Sequence, residues 1–217
     1  MVQYNAEYTG KYDPREKYFP DVAGAESNVA INLSKITGDL AEIFWISRLG
    51  QDPAGYLIQE TISKHIKIDA PIYEGEKTGI SYLNHHEDGQ HIKTYFRKGS
   101  AASEISLPQV KKHLDGADIL HVTGITPALS KTNLKTVLDT LQLCKELDIP
   151  VSMDVNYRDQ LWTPREAKNI IEKLLPFTSI FKVGRDEAET IWQLELSANE
   201  YAAHFYQGPG TLTIVTD

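Results

Sequence analysis

Apolar positions change period several times along the chain, and each change predicts an element. Val29, Leu33 and Ile36 fall at i, i+4 and i+7 within 26–36, the stripe of a helix that Gly38 ends. Ile43-Phe44-Trp45-Ile46 is a short continuous apolar run, the texture of a strand buried on both faces of a parallel sheet. Asp52-Pro53, an N-cap followed by a first-turn proline, opens a helix that carries Leu57, Ile58 and Ile62. Two β-prone runs, 79–84 and 91–97, then flank His85-His86-Glu87-Asp88-Gly89-Gln90, and Asp88-Gly89 is a strong hairpin signal.

Alternation resumes after the hairpin. A strand over 118–122 leads to a helix capped by Ser130, with Leu134, Leu138, Leu141 and Cys144 on one face. A strand over 150–155 precedes Thr163-Pro164-Arg165-Glu166, a capping box that starts a helix bearing Ala167, Ile170, Ile171 and Leu174. A strand over 179–183, helices over 186–194 and 198–206, and a strand over 212–215 complete the pattern. The first twenty residues hold Tyr4, Tyr8, Tyr12 and Tyr18 with Pro14 and Pro20, and read as an irregular or partly stranded lead-in. The expectation is an α/β fold: a doubly wound, mostly parallel sheet with flanking helices and a small β-hairpin appendage.

Composition narrows the class. The 217 residues are 41% hydrophobic and 24% charged, enough for a core and against global disorder. No run approaches the ~18 apolar residues of a membrane-spanning helix, and 1–10 is polar and tyrosine-rich rather than signal-like. The net charge of −8 argues against a nucleic-acid partner, and a single cysteine, Cys144, excludes an internal disulfide framework and points to a cytoplasmic setting.

Candidate chemistry lies at strand ends, where open parallel sheets bind ligands. Asp154, Asn156 and Arg158 recur at every second residue, so extended backbone would direct all three to one face. A carboxylate, an amide and a guanidinium there suit an anionic ligand with a metal; an Asp–Arg ion pair tying down a loop suits the spacing equally. Thr123-Gly124-Ile125-Thr126-Pro127 offers a glycine for close backbone approach by a ligand, or a plain turn. Gly184-Arg185-Asp186-Glu187 places acids at a helix start, which also complements the helix dipole. In the hairpin, Tyr95 and Arg97 share a face and suit a sugar-acid carboxylate or a solvated edge strand. His85, His86 and His91 read as a solvated turn, Cys144 as core, and Gly208-Pro209-Gly210 lacks the third glycine of a dinucleotide fingerprint.

Five stretches in order resemble the ribokinase-like (PfkB-type) carbohydrate kinases, and within them the branch acting on 2-keto-3-deoxygluconate. They are Gly24-Ala25-Glu26-Ser27-Asn28-Val29-Ala30, Ser47 to Gly55 with its G-x-D-x-x-G, Tyr95 to Ala102, Thr123 to Ser130, and Asp154 to Arg158 with Leu161-Trp162. The resemblance covers about 22–217 and implies one incomplete ribokinase-like domain over 1–217, with lid elements at about 15–23 and 79–98. It implies substrate contacts from Gly24, Asn28, Tyr82, Tyr95, Arg97, Ile125 and Arg158, and nucleotide or phosphate contacts from Asn156 and Glu187. It also implies ATP and Mg²⁺ as cofactors, a small sugar acid as partner, and a homodimer through the β-lid. The reaction it implies is in-line transfer of the γ-phosphoryl group to the sugar acid's terminal hydroxyl.

The chain departs from that pattern at four places. Gly184 stands where the family's N-x-x-E motif has asparagine, and Ser81 stands where a substrate-touching tyrosine is common. The opening Gly-Glu strand is missing, and so is the G-A-G-D motif that supplies the catalytic aspartate and anion hole. The expectation is therefore a sugar-acid kinase truncated at both ends, inactive as this chain, with no catalytic residue among those present. The alternatives are a non-catalytic sugar-acid-binding or interaction protein, and a fructokinase-like kinase.

Overall fold

A computed structural model describes residues 1–217, which form two compact units, Met1–Ile105 and Ser106–Asp217. In the first unit β1 (Val2–Thr9) pairs antiparallel with β2 (Tyr18–Val22) and parallel with β7 (Ile80–His85), which pairs antiparallel with β8 (His91–Phe96). The expected hairpin is therefore the outer half of a four-stranded sheet in the order β2-β1-β7-β8. Its turn contains Gly89 at φ 80°. The lead-in is a full strand, because Val2, Tyr4, Ala6 and Tyr8 alternate with Gln3, Asn5 and Glu7.

The rest of this unit is α1 (Ala25–Thr37), β3 (Phe44–Ile46), β4 (Leu49–Gly50), α2 (Pro53–Ser63), β5 (Lys67–Asp69) and β6 (Ile72–Tyr73). β3 pairs parallel with β5, and β4 with β6. Ile58 and Ile62 of α2 are fully buried against Val2, Leu49, Ala54, Ile66 and Ala70. The helix expected over 26–36 forms, but its inner face is different. Val29, Leu33 and Ile36 are 40, 39 and 82% exposed, while Ser27 is buried and Ala30 and Ile31 pack on the core. Phe44 is likewise exposed, so β3 is not covered on both faces.

Asp52 holds this unit's parts in register. One carboxylate oxygen caps α2 by accepting from Gly55 N at 2.7 Å, and the other accepts from Thr78 N at 2.7 Å, two residues before β7. Thr78 Oγ1 in turn accepts from Gly50 N at 2.9 Å. Burial pushes the Asp52 carboxyl up, but the N–H donors of Thr78 and Gly55 outweigh it and leave it below the usual range.

The second unit has a four-stranded, all-parallel sheet ordered β12-β11-β10-β9: β9 (Leu120–Thr123), β10 (Val151–Asp154), β11 (Ile180–Gly184) and β12 (Leu212–Thr216). Helices α3 (Leu107–Lys111), α4 (Ile125–Leu129), α5 (Lys131–Glu146), α6 (Pro164–Leu174), α7 (Arg185–Trp192) and α8 (Ala198–Phe205) precede and link these strands. The capping box of α6 forms as expected: Thr163 and Glu166 bond reciprocally. Of the stripe expected on α5, Leu141 and Cys144 are buried and Leu134 and Leu138 half-buried; Asn133, Thr136, Val137 and Thr140 complete the buried face. Phe205 packs on Phe181, Trp192 and Tyr201, which joins α7, α8 and the sheet. The α/β reading holds in both units.

Loss of the Asp52 bridge removes a helix cap and leaves Thr78 N without its acceptor. Asp52→Ala is expected to lower the free energy of unfolding by about 1–3 kcal/mol in urea titrations. A change below about 0.5 kcal/mol would show the bridge to be dispensable.

Candidate functional site

Strand ends build the candidate site of the second unit. β10 stops at Asp154, and Asn156 adopts φ 43°, so the chain turns there instead of continuing extended. Asp154, Asn156 and Arg158 thus do not share a face by strand alternation. The turn nevertheless brings them to one cavity of about 390 Å³, together with Tyr157, Lys182, Gly184, Asp186, Glu187, Thr190 and Thr216.

Glu187 organises its floor. Oε1 accepts from Tyr157 N at 2.7 Å, beyond the end of β10, and Oε2 accepts from Gly184 N at 2.9 Å, at the end of β11. Desolvation raises the Glu187 pKa above the usual carboxyl value and the Asp154 charge adds to it; the two N–H donors and Lys182 oppose the rise without cancelling it. Its place at the third position of α7, reaching back to the N-cap amide, is the capping geometry expected of an acid there.

Asp154 is paired, but not with an arginine. The parallel register sets it opposite Lys182, whose Nζ lies 3.1 Å from Oδ1. Arg158 Nη1 donates to the Tyr157 carbonyl at 2.6 Å. Asn156 Nδ2 reaches Asp154 Oδ2 at 3.4 Å, while its Oδ1 is buried with no partner. Gly184 leaves room that a neighbour takes: a Cβ there would lie 2.6 Å from Asp186 Oδ1. Lys182, Thr190 and Thr216 were not among the sequence candidates, whereas Asp186 was. A lysine inside an otherwise apolar strand was the available signal for the first.

Ile125 begins α4, its N–H on Thr123 Oγ1 at 3.2 Å, and does not line this cavity. The space beside Gly124 is filled by protein: a Cβ would lie 2.2 Å from the Val155 carbonyl oxygen. Close packing of the chain is what this glycine permits.

In the first unit Arg97 is 6% exposed, and its guanidinium carbon lies 4.0 Å from the centroid of the Tyr95 ring, with Lys93 Nζ 5.3 Å from the same ring. Gly24 caps α1 through its carbonyl, which accepts from Asn28 N at 2.9 Å, and Asn28 is exposed. The amine of Met1 donates to the Ala23 carbonyl at 3.0 Å within the field of Glu26, Arg97 and Lys93, and burial lowers its pKa to about 6. Tyr82 is not brought to Tyr95 and Arg97. Ser81 faces Tyr95 across the strands and Tyr82 faces Thr94, so Tyr82 projects from the opposite surface. There it packs on Tyr4, Tyr12, Tyr18 and Phe96. Ser81 Oγ, on the Tyr95 side, is fully buried with no partner.

An acid whose pKa is raised by folding binds more protons in the folded state, so stability falls as pH rises from the ordinary value through the raised one. Glu187→Gln is expected to remove that slope and, by denying one N–H its acceptor, to cost about 1–3 kcal/mol. Urea midpoints measured from about pH 4 upward test both effects; an unchanged slope would show that Glu187 does not carry it.

Comparison with known proteins bears on this geometry. Residues 15–217 match the family described as pfkB family carbohydrate kinase. The chain is 30% identical over 194 residues to the 2-dehydro-3-deoxygluconokinase of Bacillus subtilis, covering 87% of this chain and 58% of that protein. It is 24% identical over 201 residues to fructokinase-1 of Zea mays, covering 89% and 60%. The crystal structure of a PfkB protein from Polaromonas sp. JS666 superimposes with a TM-score of 0.88 at 29% identity, over 99% of this chain and 73% of that one. The chain spans 57–66% of the length of the first curated relatives it matches.

Proposed function

Because the chain belongs to the pfkB family of carbohydrate kinases, we propose that it carries the sugar-acid-binding and phosphate-binding parts of an ATP-dependent 2-keto-3-deoxygluconate kinase. The fold is ribokinase-like α/β, and ATP use is in keeping with an ATP-bound fructokinase of the same fold. The observation that carries the sugar-acid assignment is the buried Arg97 guanidinium held against the Tyr95 ring. A planar cation kept in one orientation by an aromatic face is suited to a carboxylate, and a neutral sugar offers it no counter-charge.

In the second unit, Lys182 and Arg158 are the cations suited to phosphate oxygens, and the Asn156 amide beside them suits the same oxygens as a donor. The buried, unpartnered Oδ1 of Asn156 and the Asp186 carboxylate are acceptors suited to water around Mg²⁺, so the residues present fit a metal–polyphosphate group. ATP supplies the γ-phosphoryl group when bound. Glu187 then acts as a positioning residue, holding the Tyr157 and Gly184 amides and with them the loop that bears Asn156 and Arg158. Pairing of two copies through the lid belongs to the same reading and is supported by exposed Tyr12, Ile92 and Phe96.

Calorimetry with 2-keto-3-deoxygluconate is expected to show binding that Arg97→Ala weakens by roughly 10–100-fold, the equivalent of one charge-assisted bond. Fructose is expected to bind weakly and equally to both proteins. Tight fructose binding indifferent to Arg97 would favour a fructokinase. No heat with the sugar acid at about 1 mM would overturn the sugar-acid reading.

A further inference from the structure

The hairpin of the first unit ends in a contact that the kinase reading does not use. His85, the last residue of β7, stands directly opposite His91, the first of β8. Their rings are nearly perpendicular, at 82°, and the two Nδ1 atoms lie 2.8 Å apart. The backbone beneath them is pinned on both sides. Gly10 N donates to the His85 carbonyl at 2.8 Å, His86 N to Gln90 O at 2.8 Å, and Gly89 N to His86 O at 3.0 Å. Asp88 Oδ1 closes the turn by accepting from Gln90 N at 3.0 Å.

Between two neutral imidazoles at this distance, one nitrogen carries the hydrogen and the other offers a lone pair. If both rings instead carry their proton on Nε2, each Nδ1 presents a lone pair to the gap between the rings. We propose that His85 and His91 form a binding site for an imidazole-preferring divalent transition ion, which replaces the shared proton and staples the hairpin tip.

The geometry asks for little movement. Metal–nitrogen bonds of about 2.0–2.1 Å set cis nitrogens about 2.9 Å apart in the tetragonal geometry of Cu²⁺ and Ni²⁺ and about 3.3 Å apart in tetrahedral Zn²⁺, so the rings need to separate by at most roughly half an ångström. That lies within side-chain rotation on a pinned backbone. No group of three or more His, Cys, Asp or Glu side chains suited to a metal forms in the chain, so two imidazoles supply the protein ligands and water completes the shell. Imidazole donors select Cu²⁺, Ni²⁺ and Zn²⁺ over Mg²⁺ and Ca²⁺, with Cu²⁺ the tightest of the divalent series. Such an ion would bridge β7 and β8 at the point where the sheet has no further strand pairs to hold it.

The untagged chain, titrated calorimetrically with Ni²⁺ and Cu²⁺, is expected to bind either ion. His85→Ala and His91→Ala are each expected to weaken binding by roughly tenfold or more, while His86→Ala leaves it within about twofold and Mg²⁺ gives no heat. Circular dichroism establishes that each variant is folded. Wild-type NMR supplies a reading that needs no variant: substoichiometric Cu²⁺ is expected to broaden His85 and His91 before any other histidine. Binding that survives both alanine variants, broadening centred on another histidine, or no binding below about 1 mM would overturn the proposal.

Discussion

A parallel sheet leaves amides unpaired where its strands end, and in the second unit one carboxylate takes up two of them. Glu187 accepts from Tyr157 N beyond β10 and from Gly184 N at the end of β11. Two strand exits are thereby fixed to the first turn of α7. The loop from Asn156 to Arg158 hangs from one of these bonds, so the cavity's shape depends on a charge kept half-buried against desolvation. The raised pKa follows from that opposition. Asp52 performs a similar task in the first unit, where its two oxygens join the start of α2 to the segment entering β7. In both places an acid near a helix start does more than complement a dipole: it decides where an adjacent chain segment runs.

The fold was legible because period and punctuation agreed. Asp52-Pro53, Ser130 and the Thr163–Glu166 box marked helix starts that form where expected, and Asp88-Gly89 marked the hairpin. Which face a helix buries was less legible. Hydrophobicity favoured Val29, Leu33 and Ile36 in α1, whereas that helix approaches its neighbours through Ser27 and Ala30; in α5 the expected Leu141 and Cys144 are buried, but Asn133, Thr136 and Thr140 join them in place of Leu134 and Leu138. Small side chains permit close approach, a consideration that a hydropathy stripe omits. β1 was legible only as a partly stranded lead-in, because tyrosines four apart obscured an alternation of period two.

The candidate site was partly legible. Asp154, Asn156 and Arg158 were recognisable as a cluster, yet they converge through the left-handed turn at Asn156, which spacing alone does not reveal. Tyr82 and Tyr95 lie on adjacent strands of the β2-β1-β7-β8 sheet, and only the cross-strand register separates them onto opposite surfaces. Lys182 became visible through the pairing of β10 with β11, which sets it against Asp154. Gly184 looked like a lost asparagine; the structure shows Asp186 Oδ1 in the space its side chain would enter. Registers and turns are long-range properties, so sequence periodicity could not supply them.

We propose that the cavity where β10 and β11 end receives a phosphate-bearing ligand. Amide chemical shifts of the whole chain, followed by NMR during titration with MgATP, test it most directly. Saturable shifts centred on Asn156, Tyr157, Gly184 and Thr216 are the predicted result. Shifts confined to residues outside that cavity, or none at millimolar nucleotide, would contradict it.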